Sequence, residues 1–324
     1  MEDLGRCLDE VRALYPGRTL QIMPTSEYVN RFLFKYNYVL RERYGTVTPL
    51  CEEDVYRRIS DKFISQNLFR DHGIAVPRWA DHQDAIGLPV VAKPRREFST
   101  DGRKIYPYLI YNKIQLDEFE ARESPEEYFF QEFVEGKSYY VLYHFSRDGD
   151  WLFRVQRNLL QQANGKSIIA AAIDNAVPNE VVERTAGIFR NIGFTGVVMV
   201  EFIAQGDEFV YIEANPRYWG PFQLCVDVCN DMMQRILYDL GVDASVSVRR
   251  NATPERGRYF WLGGMVESIL RWGRLRVYPG ALSELMRGLP LYLVNDVYLR
   301  RDSWRVYPGQ VAGYTMRRIR EAYP

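Results

Sequence analysis

The sequence predicts an α/β (α+β) protein, and three observations carry that prediction. Short strand-forming segments alternate with amphipathic helical segments along most of the chain, as in folds that layer helices on sheets. The 324 residues are 47% hydrophobic and 14% aromatic, which supplies apolar surface for a large core and length for two or three lobes. Two strand-like apolar runs within residues 196–215 follow each other across the short turn GDE.

The opening residues predict a small α/β unit. Apolar residues recur at helical spacing in residues 4–14 among acidic side chains, which indicates an amphipathic helix rather than a secretory signal. The segment TLQIMPT predicts a short strand. The next helix is expected to begin at Ser26 and to end at Gly45.

The following segments continue the alternation. A helix is predicted in ISDKFISQNLFRDHG, with Ser60 as its N-cap and Gly73 as its C-terminal stop. The strand LPVVAKP ends at Lys93 and Pro94, and a polar loop leads to the strand IYPYLIY. After the helical segment QLDEFEARES, the strand EYFFQEF runs into a turn at Gly136.

The second half of the chain predicts a meander and a hairpin. Residues 139–173 contain three strand segments, of which the first two are joined by the turn RDGD. The amphipathic helix PNEVVERTAGIFRNIGF precedes the apolar hairpin of residues 196–215. Beyond Gly241 the periodicity weakens, and the pattern assigns no role to the C-terminal residues.

Three oxygen-bearing side chains stand in the apolar hairpin, namely Glu201, Glu213 and Asn215. A carboxylate within apolar sequence costs folding energy unless it is paired or bound to a metal. Because side chains alternate along a strand, Glu213 and Asn215 share a face, and Glu201 can join them from the neighbouring strand. Two carboxylates and an amide oxygen suit a hard cation, Mg²⁺ with Mn²⁺ as a second possibility, which characteristically adds phosphate oxygens.

Two lysines are placed to meet such phosphates. Lys62 stands near the start of its helix, and Lys93 ends a strand where the chain turns out. Lysine side chains contact phosphates as point charges. The sequence therefore predicts a phosphate-bearing cosubstrate beside a metal ion.

The order of these segments resembles the ATP-grasp superfamily. Lys62 in SDKF, Lys93 in VVAKP, the hinge FFQEFVEG, then GVVMVEF and YIEANPR follow the family's order over about residues 60–240. The Asn-x-Arg after the second acid is similar to carbamoyl-phosphate-synthase-like and biotin-carboxylase-like ligases. The resemblance implies a reduced N-terminal unit, a small lobe, a large lobe with the metal hairpin, and a C-terminal extension, at 1–59, 60–133, 134–243 and 244–324.

The resemblance also implies a role for each matching position. Lys62 and Lys93 would hold the ATP phosphates, and loop 95–104 would close over them. Arg217 and Lys93 would be catalytic, with Arg217 near the γ-phosphate and the reacting carboxylate. The other nucleotide contacts would come from the hinge and from the expected ribose position, with one or two Mg²⁺ on the hairpin. The residues at these three places are, in turn, Gln131, Glu132, Phe133 and Val134; Ser138; and Glu201, Glu213 and Asn215.

The activity that the resemblance implies is an ATP- and Mg²⁺-dependent ligase. A small-molecule carboxylate would be activated as an acyl phosphate and joined to an amine, with release of ADP and phosphate. Arg154 and Arg157 are candidates for gripping that carboxylate, or are solvent-facing arginines. Two alternatives stay open: a kinase that phosphorylates a stable acceptor, and a non-catalytic nucleotide-binding protein, which would be expected to lack metal ligands.

Composition and spacing argue against other classes. Lys+Arg and Asp+Glu number 42 each, so the formal net charge is +0 and no basic field attracts nucleic acid or an anionic membrane. Four scattered cysteines indicate a reducing, cytoplasmic setting, and no apolar run approaches the roughly 18 residues of a membrane span. Cys225 and Cys229 could share a helix face as a metal pair, but buried apolar roles are the simpler expectation. The segment NGKS is not a P-loop, because Leu160 stands where the first Gly is needed.

Overall fold

A computed structural model describes residues 2–95, 99–103, 105–242, 257–300 and 303–304, and it confirms the predicted α/β architecture. The helices of the described residues are α1 (Glu2–Leu14), α2 (Glu27–Tyr44), α3 (Glu53–Ser60), α4 (Lys62–Asp71), α5 (Lys113–Arg122), α6 (Asn179–Asn191), α7 (Gln223–Val228), α8 (Asn230–Asp239), α9 (Leu262–Trp272) and α10 (Ala281–Val294). The strands are β1 (Leu20–Gln21), β2 (Thr46–Val47), β3 (Trp79–Ala80), β4 (Val90–Pro94), β5 (Tyr108–Ile110), β6 (Tyr128–Glu132), β7 (Lys137–Phe145), β8 (Trp151–Gln162), β9 (Ile168–Asp174), β10 (Gly196–Gln205), β11 (Glu208–Asn215), β12 (Arg258–Phe260) and β13 (Leu275–Val277).

The N-terminal unit packs α1 and α2 beside a two-stranded parallel sheet of β1 and β2. As predicted, α2 is capped by Ser26, whose side chain accepts a hydrogen bond from the Val29 amide, and is followed by Gly45 in a left-handed conformation. The unit docks on the segment after β11, where the side-chain amide of Asn30 donates to the Pro216 carbonyl at 3.1 Å. The N-terminal residues therefore border the predicted metal hairpin.

A four-stranded sheet of order β3-β6-β4-β5 forms the small lobe together with α5. The predicted N-cap at Ser60 is wrong, because Ser60 ends α3 and the next residue, Asp61, caps α4. One oxygen of the Asp61 carboxylate, Oδ1, accepts hydrogen bonds from the amides of Phe63 and Ile64, both at 2.9 Å, and so satisfies two of the unpaired donors at the start of α4.

The large lobe is an antiparallel sheet of order β11-β10-β7-β8-β9-β12, with β13 paired to the far end of β8. The predicted meander is β7 to β9, and the predicted hairpin is β10 and β11. One face of the sheet packs on α3, α4 and α6, whose buried residues include Ile59, Phe69 and Phe189. The other face packs on α7, α8 and α10, so the sheet is covered on both sides where β7 and β10 cross its centre.

The C-terminal elements share the core of the large lobe. Strand β12 pairs with β9, and Phe260, Leu285 and Tyr292 belong to the same buried cluster as Leu142. The predicted boundary at residues 243 and 244 lies outside the described residues, and all three predicted domain boundaries stay predictions. Among the described helices, none is long and apolar enough to cross a membrane.

Candidate functional site

A cleft of about 660 Å³ lies between the small and large lobes. The small lobe contributes the end of β4 and the strand β6, and the large lobe contributes β10 and β11. With Lys62 at the start of α4, the cleft gathers predicted site residues from five separate segments. Those lining it are Lys62, Lys93, Gln131, Glu132, Phe133, Val134, Glu201 and Glu213.

Lys93 supplies a buried positive charge in this cleft. It is only 6% exposed, and its Nζ atom has no hydrogen-bond partner among the described residues. Burial, and the neighbouring charge of Lys62, lower the pKa of Lys93 to about 8. An unpartnered buried ammonium is costly, so this geometry favours an anion at Nζ.

Glu201 and Glu213 face each other directly across β10 and β11, as the predicted alternation requires. Burial and the charge of Glu213 raise the pKa of Glu201 to about 7. Burial also disfavours ionised Glu213, but Lys62 and Lys93 outweigh it and hold the pKa of that carboxyl below its ordinary value. Lys62 Nζ lies 3.8 Å from Glu213 Oε2. Two opposed carboxylates of this kind are an arrangement that a divalent cation relieves.

Asn215 completes the oxygen set at the end of β11. Its Nδ2 donates a hydrogen bond to Glu213 Oε1 at 2.9 Å, so its amide oxygen is not used in that contact. Among the described residues, no three His, Cys, Asp or Glu side chains meet at a common point. A metal site here therefore depends on the pair of glutamates with the Asn215 amide, and this donor set fits a hard cation.

Ser138 supports Glu201 from behind instead of lining the cleft. It is fully buried, and its hydroxyl donates to Glu201 Oε1 at 2.8 Å. Asn158 Nδ2 in turn donates to Ser138 Oγ at 2.8 Å, and Gln156 Nε2 donates to Asn158 Oδ1 at 2.7 Å. The residue at the predicted ribose position thus belongs to a buried polar network that holds the Glu201 carboxylate in place.

The hinge residues close the opposite end of the cleft. Gln131 is 1% exposed and its Nε2 has no hydrogen-bond partner among the described residues, while Glu132 Oε2 accepts a hydrogen bond from Arg78 Nε at 3.0 Å. Apolar side chains flank this end from both lobes: Val91, Leu109, Val134, Ile203 and Ile212. An apolar space beside backbone groups and an unpaired amide suits a heteroaromatic base.

Arg217 lies beyond the strand end and borders a second cavity, of about 330 Å³, that it shares with Lys62, Glu213 and Asn215. Its Nη1 donates to the carbonyls of Thr25 at 3.2 Å and Tyr218 at 3.4 Å. The guanidinium is therefore anchored to the N-terminal unit. Lys62 and Glu213 line both cavities, so Arg217 stands beside the metal side of the cleft and away from the hinge.

The two arginines of β8 are engaged in ion pairs with C-terminal helices. Arg154 pairs with Asp231 of α8, and Arg157 pairs with Glu284 of α10. Neither lines the cleft between the lobes. Of the predicted loop 95–104, residues 96–98 and 104 lie outside the described residues, and Arg95 pairs with Asp81.

Sequence reasoning missed four residues on the β8 side of the site. Gln161, Gly165 and Arg276 line the cleft, and the hydroxyl of Tyr278 donates to Gln161 Oε1 at 2.7 Å. The segment LRV between Gly273 and Pro279 carries a short strand signal, but nothing in the sequence places it against β8. Only the tertiary structure brings the C-terminal extension to the cleft.

Comparison with known structures supports the same architecture. The biotin carboxylase domain of a 2-oxoglutarate carboxylase from Hydrogenobacter thermophilus, described with MgADP and bicarbonate, has a TM-score of 0.53 at 14% identity, covering 78% of this chain and 59% of that one. A Rhizobium etli pyruvate carboxylase has a TM-score of 0.53 at 17% identity, over 75% of this chain and 23% of that one. The ADP complex of an N5-carboxyaminoimidazole ribonucleotide synthetase has a TM-score of 0.50 at 17% identity, over 63% of this chain and 57% of that one.

At these identities the structural likeness shows the fold alone, and the chain spans less than two thirds of each of these three proteins. None of the curated proteins compared with the sequence matches it. A family model described as the ATP-grasp domain matches residues 59–221, just over half of the chain. This match covers both lysines, the hinge and the acid-bearing hairpin, and the chain accordingly belongs to the ATP-grasp family.

Proposed function

We propose that this protein is an ATP- and Mg²⁺-dependent ligase that joins a small-molecule carboxylate to an amine through an acyl phosphate. One observation carries the proposal: the unpartnered buried ammonium of Lys93 stands in the same cleft as the Glu201 and Glu213 pair. The ammonium group favours an anion, and the neighbouring pair of carboxylates favours a cation. A metal-bound polyphosphate would supply both. Two of the similar structures carry ADP by their printed descriptions, which supports a nucleotide in this cleft.

The two ends of the cleft would bind different parts of the nucleotide. Hinge backbone groups from Gln131 to Val134 would pair with the adenine edge, with Val91 and Ile212 packing on its faces. Lys62 and Lys93 would contact the phosphates. Glu201, Glu213 and Asn215 would hold Mg²⁺, with Mn²⁺ as a substitute, and when bound the ion neutralises charge on the β- and γ-phosphates.

The proposed reaction has two steps. An oxygen of the substrate carboxylate attacks the γ-phosphorus, the bond to the bridging β–γ oxygen breaks, and ADP leaves with that oxygen. The amine then attacks the acyl carbon and loses a proton, and phosphate leaves with the original carboxylate oxygen. Arg217, beside Glu213 and Lys62, would stabilise the oxyanion of the tetrahedral intermediate.

The test of the reaction type is an isotope transfer. The purified protein is incubated with ATP, Mg²⁺ and pools of ¹⁸O-labelled carboxylates and unlabelled amines, and the released phosphate is analysed by mass spectrometry. We expect ¹⁸O in free phosphate, because the acyl phosphate passes a carboxylate oxygen to phosphorus. ADP formed without free phosphate would identify the kinase alternative, and absence of nucleotide turnover with every pool would favour a non-catalytic protein.

The site itself is tested by a matched pair of glutamates on β11. Glu213→Gln should reduce phosphate release by at least ~100-fold, because it removes one of the two carboxylates at the metal. Glu208→Gln, at the exposed tip of the same strand, should leave the rate unchanged. Equal thermal unfolding of both variants would show that the loss does not come from misfolding. A folded Glu213→Gln protein with normal turnover would remove the metal assignment.

A further inference from the structure

The C-terminal strand β13 brings one arginine into the cleft. Arg276 is opposite Gln161 in the β13–β8 pairing, and its Nη1 lies 3.4 Å from Gln161 Oε1. Its guanidinium sits 5.3 Å from the ring centre of Phe133 and 4.7 Å from that of Tyr278. Two aromatic rings thus hold a planar cation at the side of the cleft next to the hinge.

Among the described residues, no carboxylate lies within ion-pair distance of this guanidinium, in contrast to the arginines of β8. Arg154 and Arg157 are each neutralised by an acid on a C-terminal helix. The contacts of Arg276 are two rings and one long hydrogen bond to an amide oxygen. Most of its donors therefore remain available to a ligand.

The charges that line the cleft point to the sign of that ligand. Lys62 and Lys93 are balanced by Glu201 and Glu213, and the remaining lining acid, Glu132, is paired with Arg78 outside the cleft. Arg276 therefore brings the lining to three cations against the two acids Glu201 and Glu213, and its charge also acts on Glu201. A triphosphate carries several negative charges, more than a metal ion and the paired lysines neutralise.

We propose that Arg276 binds phosphate oxygens of the nucleotide, so that the C-terminal extension completes the ATP site. This inference rests on the proposed function, since it assumes that the cleft binds ATP. Arg276 lies between the two ends of the cleft, because its guanidinium contacts the ring of Phe133 in the hinge while its charge acts on Glu201, and phosphates that follow an adenine at the hinge would pass this point. The residue stands outside the segment 59–221 that matches the family, so the contact belongs to this chain's extension.

The test compares nucleotides that differ only in phosphate. ATP, ADP and adenosine are titrated calorimetrically into the wild-type chain, Arg276→Gln and Arg271→Gln, with Mg²⁺ present and no acid or amine. Arg276→Gln should lower the affinity for ATP and for ADP by about 10-fold or more, the usual contribution of a charge-assisted hydrogen bond. It should lower the affinity for adenosine by less than about 3-fold. Arg271 is an exposed arginine on α9 that also lies over an aromatic ring. Its substitution, Arg271→Gln, is the matched control and should leave all three affinities unchanged.

The outcomes separate this inference from the proposed function. Loss of adenosine affinity equal to the loss of ATP affinity would show that Arg276 only holds Phe133 and would overturn the phosphate contact. Unchanged ATP affinity in a folded Arg276→Gln protein would overturn it as well. Absence of ATP binding by the wild-type chain would instead defeat the proposed function. Arg276→Lys, which keeps the charge but not the planar fork, should bind ATP with intermediate affinity.

Discussion

At the scale of single residues, Lys93 and Glu201 are the most deeply buried charged side chains of the site. Each is almost completely buried, at 6% and 7% exposure, and burial shifts the pKa of each toward its neutral form. In the proposed complex, an anion would restore the charge of Lys93 and a cation would restore that of Glu201. The two residues whose charged forms burial disfavours are thus those that would gain most from the proposed ligands.

This reversal predicts proton uptake when ATP binds. The pKa of Lys93 is lowered from 10.5 to about 8, so near pH 8.5 much of the side chain is neutral, and phosphate binding should draw in a proton. Calorimetry in buffers of different ionisation enthalpy should detect proton uptake at about pH 8.5. It should detect no net uptake at about pH 7, where Lys93 is already charged and a cation at Glu201, whose pKa is about 7, would release a proton. ATP affinity should accordingly fall as the pH rises past about 8.

The matched variants for this experiment are the two cleft lysines. Lys93→Arg carries a permanent charge and should abolish the uptake, whereas Lys62→Arg should retain it. Uptake that persists in Lys93→Arg would assign the proton to another group. Both variants are first compared with the wild-type chain by thermal unfolding, because Lys93 is buried and its replacement is larger.

At the scale of elements, the hinge depends on a close approach between β7 and β10. Gly136 precedes β7, and a Cβ atom there would lie 2.0 Å from the carbonyl oxygen of Ala204. That contact is with backbone, so the strands themselves would have to separate. The glycine thereby allows the start of β7 to lie against Ala204 of β10, three residues after Glu201.

We therefore expect Gly136→Ala to damage both stability and nucleotide binding. Overpacking of this kind costs about 1–3 kcal/mol, and the displaced hinge should also weaken ATP binding. Chemical denaturation and ATP titration measure the two effects. The control is Gly187→Ala within α6, where nothing lies within 4 Å of an added Cβ, and it should be neutral or stabilising by about 0.5–1 kcal/mol. If the two substitutions changed the free energy of unfolding equally, the close approach at Gly136 would make no contribution to stability.

At the scale of the whole molecule, the large lobe and the C-terminal extension should unfold together. Tyr292 of α10 is fully buried and belongs to the same cluster as Leu142 of β7 and Cys225 of α7. Further links join the large lobe to both neighbours: Lys166 lies 4.5 Å from the rings of Tyr106, in the small lobe, and Trp272, in α9. The extension is therefore part of the core that supports the cleft.

Tyr292→Ala tests this coupling. The substitution should lower the free energy of unfolding by about 3–5 kcal/mol, the usual cost of truncating a large buried aromatic side chain. Tryptophan fluorescence and loss of ATP binding should still report one coincident transition, at lower denaturant concentration. Val294→Ala, on the same helix but 70% exposed, should change stability by less than about 0.5 kcal/mol. Two separate transitions would mean that the extension folds independently of the nucleotide site.

Local sequence alone predicted the elements and the chemistry of the hairpin. Strand alternation placed Glu201, Glu213 and Asn215 on one face, and the structure pairs Glu201 with Glu213 as that alternation requires. The Ser26 cap and the Gly45 stop of α2 were also readable, because capping depends on a few adjacent residues. At Ser60 the same reasoning chose the wrong neighbour, since two helices meet there and Asp61 caps the second.

Only the tertiary structure decided which charges face the cleft. The sequence offered Arg154 and Arg157 as ligands for an anion, but helices far along the chain neutralise both, whereas Arg276 reaches the cleft from an unassigned segment. Ser138, at the predicted ribose position, likewise donates a hydrogen bond to Glu201, 63 residues away in sequence. Periodicity reports the face on which a side chain lies, but the partner on that face depends on long-range pairing of strands and helices, which no local pattern encodes.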